Sequence, residues 1–254
     1  MTIAETVSVN IGYFDGTSLC RRPLTVIRET SVTITLNGQN ITTNACTGIH
    51  LDEMAAGYLK STGLIRGFDE VVSIEADEPG RIISVTTNRP TPHQKGMYIG
   101  SSGARSALLD RTGPPLQTDR LLSPHLVLKL IEELLSSTTL HDATGGAHCS
   151  ALASHEDGII IAREDIGRHN TIDMVCGYGL LKGLDLSDKI ILTTGRVSSE
   201  IVRKIWRIGV PFIISHSAAT SRAVEDAEQA GITVVGYVRR GTMRIYSQGK
   251  RVEM

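Results

Sequence analysis

Hydrophobic and polar positions keep a period of two over much of the first third of the chain, and one helical stretch interrupts it. Val32, Ile34 and Leu36 alternate with polar residues, Asn37-Gly38 supplies a tight hairpin turn, and residues 40–43 return. Residues 24–27 read as a further strand. Residues 1–22 carry little pattern and are expected to begin as a loose tail. Over residues 52–61 the period lengthens: Met54, Ala55, Tyr58 and Leu59 share one helical face, and Gly63 stands where a helix-ending glycine belongs. Residues 71–76 and 82–87 then predict a strand pair that turns at Glu78-Pro79-Gly80.

Residues 88–120 break this rhythm with four prolines, four glycines and no sustained period. They are expected to form a long mobile loop, with a short helix at 106–110, between two halves of the molecule. Beyond it Ser123 and Pro124 have the chemistry of a helix start, and Leu126, Leu130, Ile131 and Leu134 line one side of that helix. Apolar runs at 149–153 and 158–162 flank the turn residues His155-Glu156-Asp157 and read as a hairpin, after which Gly167-Arg168 opens a helix. Strands at 189–193, 211–215 and 233–238 then alternate with helices at 198–209 and 219–231, and residues 242–247 return as one more strand. Alternation of this kind predicts an α/β fold on a mainly parallel sheet. The division expected is a β-rich N-terminal domain over 1–121, including the loop, and an α/β domain over 122–254.

Composition narrows the function. At 254 residues with a formal net charge of −1, the chain has no electrostatic reason to seek nucleic acid or an anionic membrane. It has no apolar run long enough to span a bilayer and no secretory signal pattern, so a cytoplasmic protein is expected. Cys20, Cys46, Cys149 and Cys176 are scattered, which excludes a CxxC redox pair and a Cys-rich zinc site; no metal is expected.

Ligands of open α/β sheets bind beyond the carboxyl ends of the strands. Each such end carries a small polar turn. Thr144, Gly145 and Gly146 precede His148, and Asp165, Gly167, Arg168 and His169 follow the hairpin. Arg196, Ser198 and Ser199 open the next helix, Ser217 and Thr220 the one after, and Arg239 and Arg240 follow the last parallel strand. Helix starts and arginines converging on one rim suit a phosphate- or nucleotide-bearing ligand. No Walker A or GxGxxG is present. Ser198, His169 and Asp165 could be assembled into a triad on paper, but no GxSxG elbow supports one, and no catalytic residue is assigned. A zinc-dependent deaminase would need a Glu beside His169 and a PCxxC on the next helix, and residues 169–171 and 196–200 lack both.

TGGAH, EDIGRHNTID, the Gly-Arg-x-Ser-x-Glu turn at 195–200, SAATS at 217–221 and the closing VVGYVRRGTMRIY together resemble the FdhD/NarQ family of formate dehydrogenase accessory proteins. In the N-terminal half, Arg22-Pro23-Leu24-Thr25-Val26, Leu36-Asn37-Gly38 and residues 54–65 agree in order. The resemblance implies a cytidine-deaminase-like three-layer α/β/α domain behind a smaller β-rich domain, in a homodimer. It implies a role in relaying sulfur from a cysteine desulfurase to the bis(molybdopterin guanine dinucleotide) molybdenum cofactor, which is bound as cargo and delivered to formate dehydrogenase. The family's cofactor segment maps onto Tyr237, Val238, Arg239, Arg240, Gly241 and Thr242, and GDP is the expected mimic of that cargo. One departure stands out. Where the family carries a CGxCG-type motif, residues 99–105 read IGSSGAR, with no cysteine. Cofactor binding without the family's sulfur chemistry is the leading expectation, with Cys149 the sole substitute thiol. A nucleotide-responsive regulatory module is the alternative from another class, and a deaminase-like hydrolase a more distant one.

Overall fold

The computed structural model describes residues 5–77, 80–92, 97–99, 105–107 and 113–253. Strands β1 (Thr6–Phe14) and β2 (Leu19–Ile27) form an antiparallel hairpin where a loose tail was expected. The alternation Val7, Val9, Ile11, Tyr13 was its signal, masked because most of both strands stays exposed and no buried face sharpens the pattern. The Asp15 carboxylate closes the turn, accepting from the N–H groups of Thr17 and Ser18 at 2.8 Å each.

A second sheet has the order β4-β3-β6-β5, built from β3 (Thr30–Leu36), β4 (Gln39–Cys46), β5 (Val71–Ala76) and β6 (Ile82–Thr87). Its apolar face, Val32, Ile34, Leu36, Ile83 and Val85, packs on Met54, Ala55, Tyr58 and Leu59 of α1 (Leu51–Thr62). Next come β7 (Met97–Ile99) and β8 (Arg105–Ala107), an antiparallel pair. Residues 106 and 107 are therefore strand rather than the start of a short helix; residues 108–110 lie outside the described residues. A five-residue helix has too few hydrogen bonds to offset its nucleation, and cross-strand pairing wins.

The largest sheet holds six strands in the order β10-β9-β11-β12-β13-β14. They are β9 (His148–Ser154), β10 (Gly158–Asp165), β11 (Ile190–Thr193), β12 (Phe212–Ser215), β13 (Thr233–Arg239) and β14 (Thr242–Ser247). Only β11–β12 and β12–β13 pair in parallel; the sheet is mixed rather than mainly parallel. Short turns at 155–157 and 240–241 can return the chain only antiparallel, and they bracket the parallel centre. Alternate residues point to opposite faces. Leu152, Ile191, Ile213 and Val234 meet α4 (Arg168–Leu181), α5 (Ser199–Ile208) and α6 (Ser221–Ala230). Ala151, Ile190, Leu192, Phe212, Ile214 and Val235 meet α2 (Pro124–Ser136), which Ser123 caps by accepting from Leu126 N–H. A short α3 (Leu140–Thr144) leads into β9.

α1 and α4 cross backbone to backbone. A Cβ on Gly57 would stand 1.9 Å from the Asp173 carbonyl oxygen, and one on Gly177 1.8 Å from that of Glu53. Buried ion pairs flank the crossing: Arg163 forks onto Glu53 at 2.6 and 2.7 Å, and Lys204 reaches both Asp173 oxygens and Ser61 Oγ at 2.7–3.1 Å. Among the described residues no helix is long and apolar enough to cross a membrane.

Candidate functional site

The carboxyl ends of β10, β11, β12 and β13 lie along one edge of the six-stranded sheet, joined there by hydrogen bonds between consecutive turns. Thr194 N–H donates to the Cys149 carbonyl (2.9 Å), His216 N–H to that of Thr193 (3.0 Å), and Val197 N–H to that of Ala218 (3.1 Å). Tyr237 N–H donates to the Ser217 carbonyl (2.8 Å), and Ser215 Oγ ties down the Gly195 carbonyl at 2.8 Å. The helix starts of α4, α5 and α6 thus sit on one rim. Short strands ending in Thr or Ser make this possible, since each hydroxyl turns back onto the following backbone.

The rim has two neighbouring parts. In the first, Arg168 opens α4 with its stem against Gly195, next to Arg196, and burial and the Arg196 charge both depress its guanidinium. Arg196 is exposed, Ser199 half-buried, and His148 faces Asp165 across the β9–β10 pair. In the second, Ser217 and Thr220 lead into α6, where Thr220 Oγ1 accepts from Ala223 N–H. Arg239 donates from Nε to the His216 carbonyl (3.0 Å), and its guanidinium lies over the Tyr237 ring, with Arg244 also stacked on that ring. Tyr237 adopts φ +53°, at a bulge in β13 that frees the strand from its partner. Val238 points inward and is buried. Arg240, Gly241 and Thr242 form the exposed β13–β14 turn, with positive φ at Arg240 and Gly241.

Four sequence-predicted residues have structural roles or positions of their own. Asp165 is fully buried, and its oxygens accept from Thr47 N–H and Oγ1, Gly167 N–H and Asn170 Nδ2 at 2.7–2.9 Å. It fastens the start of α4 to the end of β4 instead, and burial pushes its carboxyl above the usual range despite those donors. Gly145 and Gly146, both exposed, end α3 near the root of the hairpin, where the Ile27 side chain lies against Gly146. Thr144 spends its hydroxyl on the Leu140 carbonyl.

Glu200, the last residue of the Gly-Arg-x-Ser-x-Glu turn, also belongs to this site. Its Oε2 lies 3.6 Å from His169 Nε2, beyond hydrogen-bond reach, and among the described residues both atoms are buried without a hydrogen-bond partner, as is Ser198 Oγ. Burial, then the charges of Lys204 and Arg168, hold His169 neutral down to about 3, while burial pushes Glu200 upward. One turn deeper on the same two helices lies the Asp173–Lys204 pair. The i, i+4 spacing of His169 with Asp173, and of Glu200 with Lys204, was the available signal. A separate polar cleft of about 180 Å³, lined by His50, Arg163 and Glu164 among others, contains none of the sequence-predicted residues.

The FdhD/NarQ family model matches residues 27–253. The chain belongs to that family. It is 36% identical over 241 residues to the sulfur carrier protein FdhD of Shouchella clausii, covering 90% of each chain, and 33% identical over 236 residues to that of Bacillus subtilis, covering 89% of this chain and 90% of the other. A crystal structure of a protein described as a formate dehydrogenase accessory protein, from Desulfotalea psychrophila, superposes with a TM-score of 0.84 at 26% identity, over 98% of this chain and all of the other. Three of the four thiols are buried. Cys149 is 1% exposed, with its thiol pushed by burial up to about 12; Cys46 and Cys176 are buried too, and Cys20 is exposed on the hairpin. The cysteine-free stretch 100–104 lies outside the described residues.

Proposed function

We propose that this chain binds the bis(molybdopterin guanine dinucleotide) molybdenum cofactor as cargo during maturation of formate dehydrogenase, with GDP as a mimic of one arm. The observation that carries this reading is the convergence of three helix starts with Arg168, Arg196 and Arg239 on one hydrogen-bonded rim. Helix N-termini and planar guanidiniums together favour diphosphate oxygens, and the Tyr237–Thr242 segment extends that rim. The cytidine-deaminase-like description of the α/β domain, a boundary near residue 121, a cytoplasmic homodimer and a cysteine desulfurase as donor belong to the same reading.

Sulfur relay is not part of it. A carrier thiolate must be reachable by donor and acceptor in turn, and nucleophilicity requires the thiolate. Cys149 meets neither condition, and residues 99–105 hold no cysteine. Calorimetry with GDP tests the binding: the Arg239→Ala, Arg240→Ala double variant is expected to bind about tenfold or more weakly. Unchanged affinity would assign the nucleotide to another surface. Incubation with a desulfurase and labelled cysteine, read by mass spectrometry, is expected to leave Cys149 without persulfide.

A further inference from the structure

Residues 8–25 of the β1–β2 hairpin are mostly exposed on both faces, and among the described residues neither edge pairs with another strand. A two-stranded ribbon is marginally stable by itself in water; a third strand or a packed apolar face is needed. One face of this ribbon is apolar. Val7 and Val9 lie opposite Val26 and Leu24, Ile11 follows, and Arg22 covers the Tyr13 ring at 3.2 Å from its centroid. Val9 and Leu24 remain 39% and 38% exposed. The two edges differ in chemistry. β2 carries Arg21, Arg22 and Pro23, the residue types that protect an edge strand. β1 has neither charge nor proline along its nine residues.

We propose that the β1 edge pairs antiparallel with β1 of a second copy of this chain, about a two-fold axis at Asn10, to make one four-stranded sheet. The proposal rests on the reading of the protein as a homodimer and names the surface that makes it. The occupant is a second copy because β1 complements itself. With Asn10 on the axis, Val9 falls opposite Ile11 of the partner subunit and Val7 opposite Tyr13 of the partner subunit, so the apolar face continues unbroken. No like charges meet, whereas pairing through β2 about its centre would put Pro23, which has no N–H to donate, on the axis with the arginines of both copies around it. In this register the partner subunit's Phe14 falls opposite Thr6, whose own cross-strand neighbour Ile27 lies against Gly146. A residue of each copy thereby comes close to the turn that leads into the other's rim.

The test uses the full chain in analytical ultracentrifugation, with Val9→Lys and Ile11→Lys as separate variants and circular dichroism to confirm folding. Each lysine is expected to raise the dimer dissociation constant about tenfold or more. In a Cys20→Ser background, Asn10→Cys is expected to give a covalent dimer on mild oxidation, because only a residue on the axis faces its own copy at disulfide distance; Ser8→Cys is expected to give none. A dimer indifferent to both lysines and unable to cross-link through Asn10→Cys would overturn the hairpin surface and leave the homodimer standing. A monomer at tens of micromolar would overturn both, including if the hairpin instead captured a strand of another protein.

Discussion

Two oxygens of Asp165 serve four donors, two of them backbone N–H groups, and an amide cannot replace them. Asp165→Asn turns one acceptor into a donor facing donors, and is expected to cost about 2–3 kcal/mol, read as a lowered urea midpoint with an unchanged m-value. His169 makes a prediction about pH. Its neutral form is the folded form down to about 3, whereas an unfolded imidazole takes its proton near 6.5. The unfolded state therefore binds more protons between those values, so this contribution to stability is complete above about 6.5 and is lost as pH falls toward 3. Glu200, raised by burial, takes up its proton earlier in the folded state and partly offsets that loss. Urea titrations from pH 7 to 4 are expected to show a flatter profile for His169→Gln than for the parent. The polar chemistry of this corner was legible in the sequence, but its direction was not. Nothing in EDIGRHN distinguishes a carboxylate turned inward onto Thr47 from one offered to a ligand, because Thr47 is 118 residues away.

Among the elements, those with a buried face were readable, because burial on one side imposes a period. α2, the strand KIILT and the PFIIS strand fall where their apolar residues place them, and Gly63 ends α1 in the left-handed conformation expected of it. β1 has a period but no buried face, so its alternation carries no sharp signal. The direction of β9 against β11 has no local signal at all: both strands are apolar on both faces, so either orientation satisfies the pattern. The two helix glycines were also silent. A Cβ at either Gly57 or Gly177 would overlap a carbonyl oxygen of the other helix, and a backbone cannot rotate away as a side chain can. Gly57→Ala and Gly177→Ala are each expected to cost about 3 kcal/mol or more, seen as a fall in Tm. Gly12→Ala, whose Cβ would meet only the Leu19 side chain at 3.7 Å, is expected to leave Tm almost unchanged.

Across the whole molecule, the helices under the two larger sheets share one seam, and its chemistry is polar as well as close. Arg163 and Lys204 come from the six-stranded sheet's half; Glu53 and Ser61 come from α1, and the forked Glu53–Arg163 pair forms only when both halves are present. Removing one partner strands the other in a buried site: Glu53→Gln is expected to destabilise the chain more than Arg163→Met paired with Glu53→Met, by a double-mutant cycle in urea. This arrangement gives the protein a timetable. Ser61 and Lys204 stand 143 residues apart in the order of synthesis. At synthesis rates of about 5–20 residues per second, α1 leaves the ribosome roughly 7–30 s before the lysine that completes its buried network. Until α4 follows, the first half holds a glycine-notched helix face open to the cell, and the Glu53 carboxylate waits 110 residues for Arg163. Nascent chains arrested short of α5 are expected to be cut readily by protease within α1, and chains released at full length to resist.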